Sequence, residues 1–302
     1  MGSASLHLDT IGVAWRGLRH KLAPRQSARY GCHHAHSVWK SLTGRRAHVL
    51  MNGTLYCLGD CLERALSDEL RAMRPGPKPA TVAHRVPLGL LLLSRQQLSA
   101  DQLRIALEAQ RNAGYGRLGD WLLSLGFTTE QQITAALARQ WSCPVLRING
   151  PFPDPLHLPQ VPLTLLESFL MIPVHHVKPT ATLHIAFGEG IDYSALYALE
   201  KMTGCHTEAC MALPSFIRAR LQELVRHRGE REAVFECLTD PAEFSRIVRS
   251  YCFRIAAREI RLATFGPCVW VRLLQGPRPP IDLLFRAPNT SAGHQPSTPK
   301  VR

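Results

Sequence analysis

The chain has 302 residues, with 36 Lys and Arg against 23 Asp and Glu, for a net charge of +13. That length suits about two domains of ordinary size, and 45% hydrophobic residues is too apolar for a chain disordered throughout. The longest apolar stretch, Val86 to Leu93, is interrupted by Pro87 and Gly89 and falls far short of the roughly 18 to 20 residues a spanning helix needs, so no membrane span is expected.

The first 25 residues mix His7, Asp9, Arg16, Arg19 and Lys21 among apolar positions, leaving no uninterrupted stretch of signal-peptide type. Met1-Gly2 opens like a myristoylation signal, but Leu6 stands where a hydroxyl residue is required. A cytoplasmic location is the expectation. Nine cysteines, odd in number and irregularly spread, point to reduced thiols with at most one metal cluster rather than to a disulfide framework. Lysine occurs at only six positions, leaving 30 arginines. Guanidinium forks suit phosphates and guanine edges, whereas a solvated basic surface accounts for the same count without any ligand.

In chain order, residues 1–30 read as a basic arm. Residues 31–73 read as a small Cys/His module, in which Val49 to Cys57 forms a hairpin and Leu62 to Met73 an amphipathic helix. Cys32, His36, Cys57 and Cys61 make two ligand pairs separated by a loop, the second at a helix start, so four N/S ligands would close a structural zinc site. A unit of this size has little core of its own, which favours a metal, but the spacings are not C-x₂-C, and plain thiols remain an equal reading. Residues 74–86 are a linker, since three prolines between Arg74 and Pro79 cannot continue a helix.

Residues 87–226 form the central domain. Leu88 to Gln140 has helical periodicity, and Ser99 before Gln102 and Thr129 before Gln132 are capping-box spacings that each open a helix. Strands follow at Met171 to Val177 and Thr182 to Phe187, a helix at Tyr193 to Met202, a strand at His206 to Ala212 and a helix at Ser215 to Arg226. Cys205 and Cys210 are expected to be ordinary thiols with no histidine nearby. After a charged linker at His227 to Arg231, residues 232–286 read as a small α+β unit. It has a helix from Pro241 to about Arg258 and strands at Glu259 to Phe265, Cys268 to Leu274 and Ile281 to Phe285. Residues 287–302, poor in anything to bury, read as a disordered tail. The expected fold class is α+β: a tandem helical repeat, a small α/β sandwich unit and a short α+β C-terminal unit.

Shifting the sequence by 30 residues aligns Leu88–Gln110 with Leu118–Gln140, and nine of the 23 pairs are identical. Among them are Leu88/Leu118, Gly89/Gly119, Leu92/Leu122, Leu93/Leu123 and Gln110/Gln140. Chance would give about one or two, so a helical unit has been duplicated. Core packing explains the leucines, but it gives no reason from sequence for a repeated glycine at a helix start or a repeated terminal glutamine.

The second copy runs Arg117-Leu-Gly, then Leu122-Leu123, Gly126-Phe127, Ile133, Leu137 and Gln140. This strongly resembles the tandem motif of the MshEN domain, the N-terminal cyclic di-GMP-binding module of bacterial type II secretion and type IV pilus ATPases. The resemblance implies a cyclic di-GMP ligand and partners in secretion or pilus machinery. It implies ligand contacts at Arg117, Leu118, Gly119, Asp120, Leu122, Leu123, Gly126 and Gln140 in one half-site and at Leu88, Gly89, Leu92, Leu93 and Gln110 in the other. The chemistry suits a two-fold symmetric dianion: an arginine fork for guanine or phosphate, a glycine for close approach, leucines and Phe127 against purine faces, Gln140 and Asp120 for base edges. The first copy departs from the motif, with Pro87 in place of Arg117 and Gln96 in place of Gly126. Arg85 lies two residues upstream of the lost arginine.

None of the 21 glycines is followed by lysine, so there is no Walker A loop and no ATPase motor. Residues 245–286 faintly resemble the region that precedes that motor. No nucleophile and base stand at recognisable spacing, and no enzyme activity is expected. The preferred reading is a non-catalytic cytoplasmic sensor or adaptor. A repeat that is purely structural makes the chain a protein-interaction adaptor instead, and a zinc knuckle with the basic arm would make it a nucleic-acid binder, the less favoured class.

Overall fold

The computed structural model describes residues 29–31, 48–73, 85–146, 158–227, 232–236 and 240–286. Most of the expected arm, both linkers and the tail lie outside these residues. The architecture is α+β, with one three-stranded and one seven-stranded sheet. Among the described residues no helix is long and apolar enough to cross a membrane.

Strand β1 (Arg29–Tyr30) is followed by β2 (His48–Met51) and β3 (Thr54–Cys57), the expected hairpin. Its turn residues Asn52 and Gly53 both have positive φ, 49° and 76°, as a two-residue hairpin turn of matching twist requires. Helix α1 (Asp60–Ala72) buries Leu62 and Leu66, one turn apart. The repeat supplies α2 (Leu88–Ser94), α3 (Ala100–Ala113), α4 (Leu118–Ser124) and α5 (Glu130–Gln140). Both capping boxes form: Ser99 and Thr129 accept from the backbone N–H of Gln102 and Gln132, whose side chains accept in return.

After α6 (Leu163–Ser168), strands β4 (Met171–Val177) and β5 (Thr182–Phe187) pair antiparallel. Helix α7 (Tyr193–Thr203) then returns the chain so that β6 (His206–Met211) adds parallel to β5. Helix α8 (Pro214–His227) completes this unit. The last segment holds β7 (Glu232–Phe235), α9 (Pro241–Ile255), β8 (Glu259–Phe265), β9 (Cys268–Leu274) and β10 (Ile281–Arg286). Helix α9 stops three residues before the expected Arg258, because Ala256 takes a left-handed conformation with φ 52°.

The larger sheet draws strands from both ends of the described chain. Its order is β1-β3-β2-β8-β9-β10-β7, and β2 joins β8 in parallel through Leu50 and Met51 opposite Glu259 and Ile260. Strands β1 to β3 and helix α1 thus share one sheet and one core with α9 and β7 to β10. The reason lies in alternation along β8 to β10. Ile260, Leu262, Val271, Leu273, Leu283 and Phe285 point to one face, where α1 and α9 cover them. Ala263, Phe265, Trp270 and Leu284 point to the other, where they join the core of the central unit with Phe187, Leu199 and Met202. A small hairpin and helix with almost no core of their own gain one by docking on strands that are apolar on both sides.

A buried ion pair lies in this second interface. Arg272 and Asp282, 4% and 7% exposed, face each other across β9 and β10. The arginine donates Nε to Oδ1 at 2.7 Å and Nη2 to Oδ2 at 2.8 Å, Trp270 Nε1 donates to Oδ1 at 2.8 Å, and Nη2 also reaches the Gln160 carbonyl at 2.6 Å. Glu232 on β7 accepts from the first N–H groups of α6, Leu163 at 2.7 Å and Thr164 at 3.1 Å. Replacing one member of a buried, bidentate pair strands the other. Asp282→Ala is therefore expected to lower stability by about 3 to 5 kcal/mol in denaturant titration.

Candidate functional site

The two copies of the repeat interlock rather than stack. Helix α2 of the first packs on α5 of the second, α3 packs on α4, and α2 also touches α4. Leu92, Leu122, Ala106 and Ala136, equivalent in pairs, are fully buried between them. Gly89 sits beneath Leu103 and Leu118, where a Cβ would come within 2.8 Å of Leu103 Cδ1 and 3.4 Å of Leu118 Cδ2. Its counterpart Gly119 faces the equivalent residues Ile133 and Leu88, both at 3.6 Å from a Cβ. Gln110 donates its amide to the Gly116 carbonyl at 2.9 Å, and Gln140 donates to Val86 at 2.8 Å. These carbonyls immediately precede Arg117 and Pro87, so each copy's last residue holds the other copy's first turn.

This pattern of exchanged contacts gives the repeated glycine and glutamine a packing role that sequence reasoning did not find. Leu92 and Leu122, expected to meet purine faces, are core residues, and Phe127 packs beside them. Leu88, Leu93 and Leu118 are half-buried, and Leu123 is 37% exposed. Gly126 ends its helix with φ 69°, and Gln96 occupies the equivalent place with φ 55°. The backbone demands the left-handed region there in both copies, which accounts for glycine in one and strain in the other.

The side chains left for chemistry lie along one rim. Arg117 occupies the N-cap position of α4, is 66% exposed and pairs with Glu189, which follows the end of β5. Arg218 of α8 approaches the other carboxylate oxygen at 3.6 Å. Asp120 is exposed in the first turn of α4. One residue beyond Glu189, Gly190 lies against Trp141, where a Cβ would come within 3.2 Å of the indole. The Arg85 guanidinium lies 3.1 Å above the Trp141 ring centre, and Tyr193 stands 6.1 Å from that ring. At the opposite end of the same junction, Glu130 of α5 accepts from Ser215 N and Oγ at 2.7 and 2.5 Å, fixing the repeat to α8. Arg85, Trp141, Glu189 and Arg218 were not singled out as a group from sequence, because they come from four separate segments.

Of the expected zinc ligands, Cys57 ends β3 and Cys61 lies in the first turn of α1, both half-buried, while Cys32 and His36 lie outside the described residues. Among the described residues no group of three or more His, Cys, Asp or Glu could hold a metal. Burial pushes the thiols of Cys210 and Cys252 up to about 12, so both stay protonated and are poor ligands. Cys205, expected to lack a histidine, has its Sγ 3.6 Å from His176 Nε2; the two are 29 residues apart and meet only through β4 and the turn into β6.

No protein-family model and no curated protein matches this chain. Among solved structures it is similar to MshE with cyclic di-GMP, at 31% identity and a TM-score of 0.40, covering 46% of this chain and 99% of that one. It is also similar to the N-terminal domain of XpsE, at 23% identity and a TM-score of 0.36, covering 45% of this chain and 91% of that one. A second crystal form of that domain matches at 22% identity and a TM-score of 0.29, over 50% of this chain and 98% of the other.

Since Gln96 stands where the second copy has glycine, Gln96→Gly is expected to raise stability by roughly 1 kcal/mol in thermal or chemical unfolding. An unchanged or lower midpoint would mean that the left-handed turn carries no strain.

Proposed function

We propose that this chain is a non-catalytic, MshEN-like sensor that binds cyclic di-GMP at the exposed rim of its helical repeat and passes that state to secretion or pilus machinery without hydrolysing ATP. The observation that carries the reading is Arg117, exposed at the start of α4 in a unit whose two copies exchange equivalent contacts. A ligand made of two identical halves suits a receptor made the same way. The guanidinium is already held by Glu189, but an exposed ion pair is worth only about 0 to 1 kcal/mol, so a phosphate or a guanine edge can replace the carboxylate.

Calorimetry with cyclic di-GMP tests this. Wild type should bind, and Arg117→Ala should weaken binding by about 10- to 100-fold, the loss of one bidentate contact. Absence of heat at high micromolar ligand, with the protein folded, would overturn the nucleotide reading. A second reading is supported by the packing roles of Gly89, Gly119, Gln110 and Gln140: the repeat is then a structural scaffold, and the chain a protein-interaction adaptor.

A further inference from the structure

The first half-site lacks its arginine, yet the structure brings another one to the same rim. We propose that Arg85, held flat on Trp141, replaces the missing arginine of position 87 and receives the second purine or phosphate of the dinucleotide. This rests on the cyclic di-GMP reading above and concerns how that site is completed.

The geometry supports it at three points. A guanidinium carbon 3.1 Å above a ring centre leaves room only for a face-to-face arrangement, so the outer face of Arg85 is a flat cation parallel to the indole. That platform is fixed from both sequence neighbours: Gln140, next to Trp141, donates to the carbonyl of Val86, next to Arg85, so one hydrogen bond clamps the two segments that carry the stack. Gly190 and Tyr193 also lie beside the indole.

The second point is placement. Glu189 touches Arg117, and the adjacent Gly190 touches Trp141. Adjacent Cα atoms are about 3.8 Å apart, so the two arginine stations border one short loop, as the two half-sites of a single ligand must. The third is charge. Among the described residues Arg85 makes no ion pair, while Arg117 and Arg218 share Glu189. Three guanidinium groups against the carboxylates of Glu189 and Asp120 leave this rim with an excess of positive charge, which favours an anionic ligand. Pro87 itself is the N-cap residue of α2, with φ −55°, and gives that rim a rigid edge.

The experiment is a two-by-two set of variants, Arg85→Ala, Pro87→Arg and both together, titrated with cyclic di-GMP beside wild type and Arg117→Ala, with circular dichroism to verify folding. Arg85→Ala should weaken binding by about 10- to 100-fold, and Pro87→Arg should change wild-type affinity little but restore most of the loss in the double variant. Trp141→Phe, which keeps a ring beneath the guanidinium, should weaken binding less than Arg85→Ala. If wild type binds and Arg85→Ala binds equally well, the proposal falls while the cyclic di-GMP reading stands. If only the Pro87→Arg chains bind, the half-site is vacant in this protein and Arg85 does not fill it. If no chain binds, the nucleotide reading falls and takes this proposal with it.

Discussion

Strands β8, β9 and β10 carry large apolar side chains on both faces, and a sheet of that kind is stable only when each face is covered. One side is closed by α1 and α9, with Phe244, Val248 and Leu66 against Val271, Leu273 and Phe285. The other is closed by the central unit, which contributes to a core that also contains Phe265 and Trp270. Everything else follows from this double coverage. It explains why residues near the two ends of the chain share a sheet, and why the central unit is not a loosely tethered domain. It also explains why the buried arginine of β9 is neutralised in place by Asp282, which accepts from Trp270 as well, rather than left to solvent.

The repeat obeys a similar logic on a smaller scale. Two short helix pairs, each too small to bury its leucines, close on one another so that equivalent residues meet equivalent residues. The glycines permit the close approach, and the glutamines tie each copy to the opening turn of its sister. Such a closed pair has a built-in symmetry of contacts, and the rim beside it is where that symmetry is broken. One copy offers an arginine directly; the other offers a proline with an arginine behind it on an indole platform.

Local signals in the sequence were readable. Both capping boxes, the hairpin turn and the strands of the last segment stand where periodicity and turn chemistry put them, because each depends on neighbours a few residues away. The pairing of β2 with β8 was not readable, since parallel partners leave no mark in either strand. Alternation along β8 to β10 indicates that both faces are buried but not what buries them. At the candidate site, the second copy singled out Arg117, which the structure leaves exposed at the start of α4, while the packing roles of Gly119 and Gln140 could not be assigned without knowing what lies across the helix. Arg85 with Trp141 and Cys205 with His176 escaped for the same reason: the partners are brought together by the fold.

The shared sheet also sets an order in time. Leu50 waits for Glu259, roughly 200 residues later in the chain, so the hairpin and α1 emerge from the ribosome long before their supporting strands exist. The repeat and the three-stranded unit have contacts nearer in sequence, whereas the larger sheet cannot be completed until β8 has been made. Until then, the early apolar hairpin is an open edge that other chains can pair with, which makes the first segment of this protein the part most in need of protection during synthesis.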